Sequence, residues 1–245
     1  MAFITSQATT VFSPSINNEE DAAPGVSRTD SLAGGAASEV SSFRKAMFFM
    51  ALRLEVVNAI MKQRRVDLPL DAWASLRSFE EAEDTVWTHR LILHCADVAQ
   101  FCFGGEISTG KTQMERWNEL QKFEDLWEAS EITSFLPIRH QEPDQNQNHC
   151  LPVIWYMSEC HALGMQYLDL ARILLTVYDP SIPRLGCDSV LSARRISATV
   201  RGLVLKICGT AKSNQTMLPA LIIAHLAITA CGQYFTDENE PKMHG

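Results

Sequence analysis

The sequence has no Cys-x-x-Cys pair, and its seven cysteines, at positions 95, 102, 150, 160, 187, 208 and 231, are odd in number. An odd and scattered set excludes a framework in which every cysteine forms a disulfide bond. Most of these cysteines lie in apolar segments with helical spacing, which is typical of reduced, buried thiols. We therefore expect an intracellular protein of the cytosol or nucleus.

The sequence also lacks a hydrophobic run of the roughly 20 residues that a membrane-spanning helix needs. The longest apolar run, Met217 to Cys231, is interrupted by Pro219 and His225, and we interpret it as a buried core helix. The stretch from Ala46 to Ile60 contains charged residues and fails in the same way. The first residues have neither a basic start nor a continuous apolar segment, so no secretory signal is predicted.

Positive charge is scarce, because 21 Lys and Arg stand against 29 Asp and Glu, which gives a formal net charge of −8. Proteins that bind nucleic acid by themselves usually present a basic surface, since phosphate contacts dominate their affinity. The dense basic clusters here are limited to residues 62–65 and 194–195. We do not expect autonomous DNA binding.

No segment alternates strictly between apolar and polar residues, and no repeat of fixed period is present, so neither a sheet nor a solenoid is predicted. Residues 1–38 are rich in Ser, Thr, Ala, Gly and Asn. They predict a disordered arm, because they bury too little apolar surface to offset the entropy of ordering. The predicted fold is all-α: an irregular multi-helix domain over residues 39–237, followed by a tail at 238–245.

Six helices are predicted within this domain. The first covers about 39–65, and the second is expected to begin at a capping box formed by Ser78 and Glu81. A loop is predicted for 137–152, and later helices for about 153–178, for 189–208 with Gly209 after its end, and from Pro219 to near Phe235. The apolar stripes of the second and third helices are Trp87, Leu91, Cys95, Val98 and Cys102, and Trp117, Leu120, Phe123 and Trp127.

The sharpest motif is Gly105–Thr112, which matches the pattern G-x-x-x-x-G-K-[ST] of a phosphate-binding loop. In a true loop the backbone amides hold phosphates, the lysine reaches the terminal phosphates and the threonine binds magnesium. Such a loop follows a strand, whereas residues 79–103 have helical periodicity. Our interpretation is a polar surface loop, and a P-loop nucleotide-binding enzyme is the alternative.

Other candidate groups do not assemble a catalytic site. His94 and Asp97 resemble a metal-site fragment of helical phosphodiesterases, but the chain has no adjacent His-Asp pair, and we interpret them as a semi-buried histidine and an exposed aspartate. Histidine–cysteine neighbours and carboxylate pairs are interpreted as packing, loop or surface residues. These are Cys160 with His161, His149 with Cys150, Glu80 with Glu81, and Glu238 with Glu240. No enzyme activity and no catalytic, cofactor-binding or metal-ligating residue is predicted.

Four stretches, 92–104, 154–161, 171–186 and 204–235, resemble in order and spacing the fungal-specific domain of zinc binuclear cluster transcription factors. One of them is Ala171–Gly186, ARILLTVYDPSIPRLG. The resemblance covers about residues 39–237 and implies a helical regulatory domain in the nucleus. It also implies a protein partner, either a full-length zinc-cluster factor or a second copy of the chain, with DNA reached only indirectly. The family pattern contains no active-site residues to carry over.

The chain departs from this family at its start. Family members begin with six cysteines that hold two zinc ions, whereas here no cysteine precedes Cys95, and Arg28 is the one basic residue in positions 1–38. We therefore expect a transcription-regulator-like protein without a zinc cluster, and a truncated gene product is one explanation. The alternative from another class is a helical ligand-sensing or scaffold module whose pocket lies between helices.

Overall fold

A computed structural model describes residues 30–105, 110–143, 150–183 and 185–235 of the chain, with side chains from residue 42 onward. The chain divides into two compact units, Met1–Ala51 and Leu52–Gly245. The prediction of an all-α protein is confirmed. The α-helices of the described part are α1 (Asp30–Lys62), α2 (Asp84–Phe103), α3 (Gln113–Ala129), α4 (Glu159–Val177), α5 (Cys187–Ser213) and α6 (Leu218–Cys231).

Short 3-10 helices occupy Leu70–Arg77, Thr133–Phe135 and Gly232–Phe235. Two three-residue strands, β1 (Arg139–Gln141) and β2 (Val153–Trp155), pair antiparallel, with Arg139 opposite Trp155. These strands form a two-stranded sheet, and β2 packs on α5.

The long helix predicted from Val153 is wrong at its start, because Val153–Trp155 is β2 and α4 begins only at Glu159. The end of α5 holds this segment extended. The N–H of Ile154 donates to Ser213 Oγ at 3.0 Å, and Asn214 Nδ2 donates to the carbonyl oxygen of Ile154 at 3.2 Å. These partners lie about 60 residues away in sequence, so local periodicity does not reveal them.

The predicted capping box at Ser78 and Glu81 is also wrong. Ser78 follows the first 3-10 helix in extended backbone, and α2 begins at Asp84 with Glu83 as its N-cap. Arg90 binds the intervening segment, since its Nη1 donates to the carbonyl oxygen of Glu80 at 2.6 Å and its Nη2 to Ser78 Oγ at 3.4 Å. A side chain from within α2 therefore fixes the residues that precede the helix.

Helix α1 begins at Asp30, before the predicted start near residue 39, and ends at Lys62. Residues 1–29 of the predicted disordered arm lie outside the described residues, as does the predicted tail at 238–245.

Helix α4 lies at the centre of the second unit and packs against α2, α5 and α6. An aromatic cluster seals one side of it: Trp127 lies 5.8 Å from Trp87 and 5.3 Å from Phe135 between ring centroids, and both contacts are edge-on. Leu91 and Leu168 complete this buried cluster. The predicted apolar stripe of α2 is confirmed as a core face, except that Cys102 is half-buried.

Helix α6 begins with Pro219 in its first turn, as predicted. The segment Leu218–Phe235 is long and apolar enough to cross a membrane by length and composition, with a mean hydropathy of 1.5, and one third of it is buried. One face of the helix packs on α5 and α4 through residues such as Ile223 and Leu226. The opposite face, with Leu218 and Ile228, is exposed.

The prediction that Gly209 follows the end of the fifth helix is wrong, because this residue lies inside α5. The backbone of Pro152, just before β2, packs directly on it. A Cβ atom at Gly209 would collide with the carbonyl oxygen of Pro152 and would come within 2.7 Å of its Cγ. The missing side chain of Gly209 is what allows this close approach.

We predict that Gly209→Ala destabilises the protein by about 1–3 kcal/mol, because α5 and the segment before β2 must separate. Gly202, an exposed residue in the same helix, is the matched control, since a Cβ there meets no atom within 4 Å. Gly202→Ala should stabilise the helix by roughly 0.5–1 kcal/mol. Urea unfolding of both variants measures the difference, and equal shifts for the two would contradict the close-packing role of Gly209.

Candidate functional site

The motif that resembles a phosphate-binding loop connects α2 to α3, and its residues 106–109 lie outside the described part of the chain. Thr112 is the N-cap of α3: its Oγ1 accepts a hydrogen bond from the N–H of Glu115 at 3.2 Å, and the Glu115 carboxylate accepts from the N–H of Thr112 at 2.7 Å. This bond from the Thr112 backbone lowers the pKa of Glu115. Lys111 Nζ donates to Glu119 Oε1 at 2.6 Å. Thr112 therefore caps α3 and Lys111 forms an exposed ion pair, and the element before the motif is a helix.

His94 and Asp97 have separate partners. The ring of His94 is 3% exposed and stacks on Phe123 with 4.1 Å between centroids, and its Nε2 lies 3.3 Å from Glu124 Oε1. Asp97 accepts two hydrogen bonds from the Arg77 guanidinium, both 2.7 Å. The histidine is more buried than predicted, and the predicted exposed aspartate is in fact a half-buried member of an ion pair. Among the described residues no group of three or more potential ligands is placed to hold a metal.

His161 pairs with a carboxylate rather than with its neighbour Cys160. Its Nε2 lies 2.8 Å from Asp84 Oδ2, and Ser134 Oγ donates to the other oxygen of Asp84 at 2.7 Å. These two bonds, that of Ser134 foremost, lower the pKa of Asp84. The serine and the histidine both contact the aspartate, whereas a nucleophile must contact its base. The arrangement therefore ties α4 to α2 and lacks the order of a catalytic triad.

The cysteines differ in burial more than predicted. Cys95 and Cys231 are buried, and burial raises the pKa of both thiols, that of Cys231 to about 11. Cys150 and Cys187 are exposed, and all seven thiols are free. The exposed pair Glu80 and Glu81 agrees with the predicted surface position, while His149, Glu238 and Glu240 lie outside the described residues.

A chain of hydrogen bonds and ion pairs links α2, α3, α4 and α5. Glu124 of α3, which is 4% exposed, lies between His94 and Arg172, and its Oε2 accepts from Arg172 Nε at 2.6 Å. Asp169 of α4 accepts from Lys206 Nζ of α5 at 2.9 Å. Burial raises the pKa of Asp169, and the cations Lys206 and Arg172 oppose that shift. Buried charges require such pairing, so these residues fix how the helices are arranged.

Two clefts flank α3. A cleft of about 580 Å³ lies between α3, α4 and α5, where Arg172 is paired with Glu124 and Glu128. A second cleft, of about 560 Å³, lies between α3, α2 and the segment that contains the first 3-10 helix. Both volumes are within the range of roughly 300–1,000 Å³ that is usual for small-molecule sites.

An exposed apolar stripe on α1 was not predicted. We define the α1 stripe as Phe43, Met47, Met50, Leu54, Val57 and Met61, which follow one another at spacings of four, three, four, three and four residues. Val57 is half-buried and the other five are exposed, with Phe43 at 67% and Leu54 at 57%. This 3.5-residue period is the pattern of a coiled-coil seam. This period is present in the sequence, but it is hard to recognise there because a second face of the same helix is also apolar.

Comparisons of the chain with protein-family models, with curated proteins and with solved structures found no match. The geometry of the described residues and the resemblance of the sequence are therefore the grounds for a function.

We predict that Thr112→Ala destabilises the protein by about 1 kcal/mol, because α3 loses its N-cap, and that Thr112→Ser retains most of the stability. Thermal unfolding with and without magnesium and ATP provides the measurement. If Thr112 acts as a helix cap alone, the nucleotide leaves the thermal unfolding midpoints of the parent protein, Thr112→Ala and Thr112→Ser unchanged. A nucleotide-dependent rise in the parent protein that disappears in Lys111→Ala would instead support the phosphate-binding alternative.

Proposed function

We propose that the protein is a transcription-regulator-like protein of the nucleus that acts through protein contacts, without catalysis, and pairs with a second copy of itself along the α1 stripe. The α1 stripe is the observation that carries this proposal, because contiguous apolar surface rarely remains exposed in the absence of a partner. The resemblance to the regulatory region of zinc-cluster factors supports the transcriptional role.

The orientation of the stripe favours such pairing. In the part of α1 that belongs to the second unit, Leu52, Val56 and Ala59 are fully buried, whereas Leu54 and Met61 on another face are exposed. A second helix can therefore cover the exposed residues without displacing the packed ones. Met61 and the other methionines of the stripe are flexible and adapt to a facing surface.

A second copy matches the stripe in period and in charge. With Met47, Leu54 and Met61 at heptad position a, a parallel pair places Ala46 beside Ala51 of the other copy and Arg53 beside Asn58. No like charges meet at these flanking positions, so the identical chain meets no electrostatic penalty there. An identical helix also repeats the same 3.5-residue period over the same length.

Indirect DNA contact is part of the proposal. A chain with a net charge of −8 offers little to phosphate groups, so in this proposal the regulator reaches DNA through a DNA-binding partner. The dimer could sequester an activator or join it at the DNA.

We predict that the protein is a dimer, twice 27.4 kDa, at micromolar concentrations in analytical ultracentrifugation. The double variant Met50→Glu with Leu54→Glu should weaken the dimer by at least about a hundredfold, because it places carboxylates at the centre of the seam. Met157→Glu is the control, since Met157 is 74% exposed but lies outside α1. A monomeric parent protein, or an equal loss in the control, would refute pairing through the stripe.

We predict that deletion and overexpression change a confined set of transcripts in opposite directions, because a regulator acts through its concentration. The stripe variant should fail to restore the deletion strain, whereas Met157→Glu restores it. Unchanged transcripts in both strains would refute the transcriptional role and leave the self-association result standing. If the protein is instead a monomer that binds a full-length zinc-cluster factor, the partner of the α1 stripe is that factor and the pairing with a second copy is refuted.

A further inference from the structure

The cleft of about 560 Å³ beside α3 combines an apolar lining with cationic groups. We call it the Arg90 cleft, and it lies between the segment Val66–Arg77, α2 and α3. Aliphatic and aromatic side chains line two of its walls, the segment before α2 and helix α3, namely Leu68, Leu70, Phe79, Leu120, Phe123 and Leu126, whereas α2 contributes polar and charged residues. Ligand sites usually have such a lining with a few convergent polar groups.

Arg90 is the unusual group in this lining. It is 5% exposed, and its guanidinium lies 4.1 Å from the centroid of the Trp87 ring. Its hydrogen bonds go to the Glu80 carbonyl and the Ser78 hydroxyl, which are neutral, and its Nε has no partner within the described chain. Burial lowers the pKa of Arg90, although a guanidinium remains charged. No described carboxylate forms an ion pair with Arg90 within 4.0 Å, although the negative charge of Glu80 acts on it from farther away.

The surrounding charges leave the cleft positive. Four cations line it, Arg77, Arg90, Arg116 and Lys122, against the three carboxylates Asp71, Asp97 and Glu119. Asp97 is bound by Arg77, and Glu119 is bound by Lys111, which comes from outside the lining. Asp71 in the lining and Glu80 beside it then stand against three cations, which leaves an excess of one positive charge. In a chain with a net charge of −8, this cleft concentrates uncompensated positive charge on an apolar surface.

In the cleft on the other side of α3, the most buried cation is Arg172, and it is paired with carboxylates. Arg172 contacts Glu124 and Glu128 at 2.6 and 2.9 Å, and Asp169 at 3.7 Å. Its charge is already satisfied by protein carboxylates. The Arg90 cleft is therefore the one of the two that favours an anion.

We propose that the Arg90 cleft binds a small monoanionic molecule with an apolar body, of the class of aromatic or aliphatic carboxylates. The carboxylate lies near Arg90 and Arg116, and the apolar body lies against the leucine and phenylalanine side chains. Such a ligand supplies a counter-charge and packs against the apolar lining at the same time. This site is separate from the α1 stripe and does not depend on dimer formation.

The test uses 2-naphthoate, whose fluorescence reports its binding to the full-length chain, and its neutral analogue 2-naphthamide. We expect 2-naphthoate to bind at least about tenfold more tightly than the amide, because only the acid compensates the cations. Arg116→Gln should weaken the binding of 2-naphthoate about tenfold and leave that of the amide unchanged. Leu126→Glu, a separate variant at an exposed position of the lining, should also weaken the binding of 2-naphthoate, because it adds a negative charge.

Arg195→Gln is the matched control, since Arg195 lines the cleft on the other side of α3. It should bind both probes as the parent protein does. Arg90→Gln should reduce 2-naphthoate binding most, and circular dichroism checks its fold because Arg90 is buried; the half-buried Arg116 keeps the test valid if that variant unfolds. Equal binding of acid and amide, no binding of the acid at millimolar concentration, or an equal effect of Arg195→Gln would overturn the proposal.

Discussion

The arrangement of the second unit depends on helix α4 being buried on nearly every side. Thirteen of its 19 residues are buried, and three of these, His161, Gln166 and Asp169, are polar or charged. Each must find a partner inside the protein, since an unpaired buried polar group costs free energy. Gln166 donates to carbonyl oxygens of α5 and α6, His161 pairs with α2, and Asp169 binds a lysine of α5. The polar groups of one helix thus select the positions of its neighbours.

Helix α3 is held in a different way, and the two clefts follow from this. It contributes few buried residues, chiefly Glu124 and Trp127. Glu124 reaches Arg172, and Trp117 Nε1 donates to the carbonyl oxygen of Leu175 at 3.1 Å. The surfaces of α3 beside these contacts remain open as two clefts. In one cleft the buried arginine, Arg172, forms ion pairs, and in the other the buried Arg90 forms none.

Sequence periodicity located the helices well, but their ends depended on residues that lie elsewhere in the chain. The capping box at Ser78 was contradicted because Arg90 binds that segment. The start of α4 was placed too early because Ser213 and Asn214 hold Ile154 in a strand. Glycine is common at helix ends, but Gly209 lies inside α5, where Pro152 packs directly on it. The candidate sites were harder still, since the pairing of His94, Asp97 and His161 involves residues 20 to 77 positions away.

The amino-acid sequence by itself determined the all-α class, the approximate helices and the 3.5-residue period along α1, because these properties arise from neighbours within one or two turns. In the part of α1 that belongs to the second unit, the tertiary structure alone decided which apolar face is buried and which is exposed. It also decided that Arg172 forms ion pairs with carboxylates whereas the hydrogen bonds of Arg90 go to neutral groups. Burial and charge pairing depend on contacts between distant residues, and these contacts exist only once the helices have packed together.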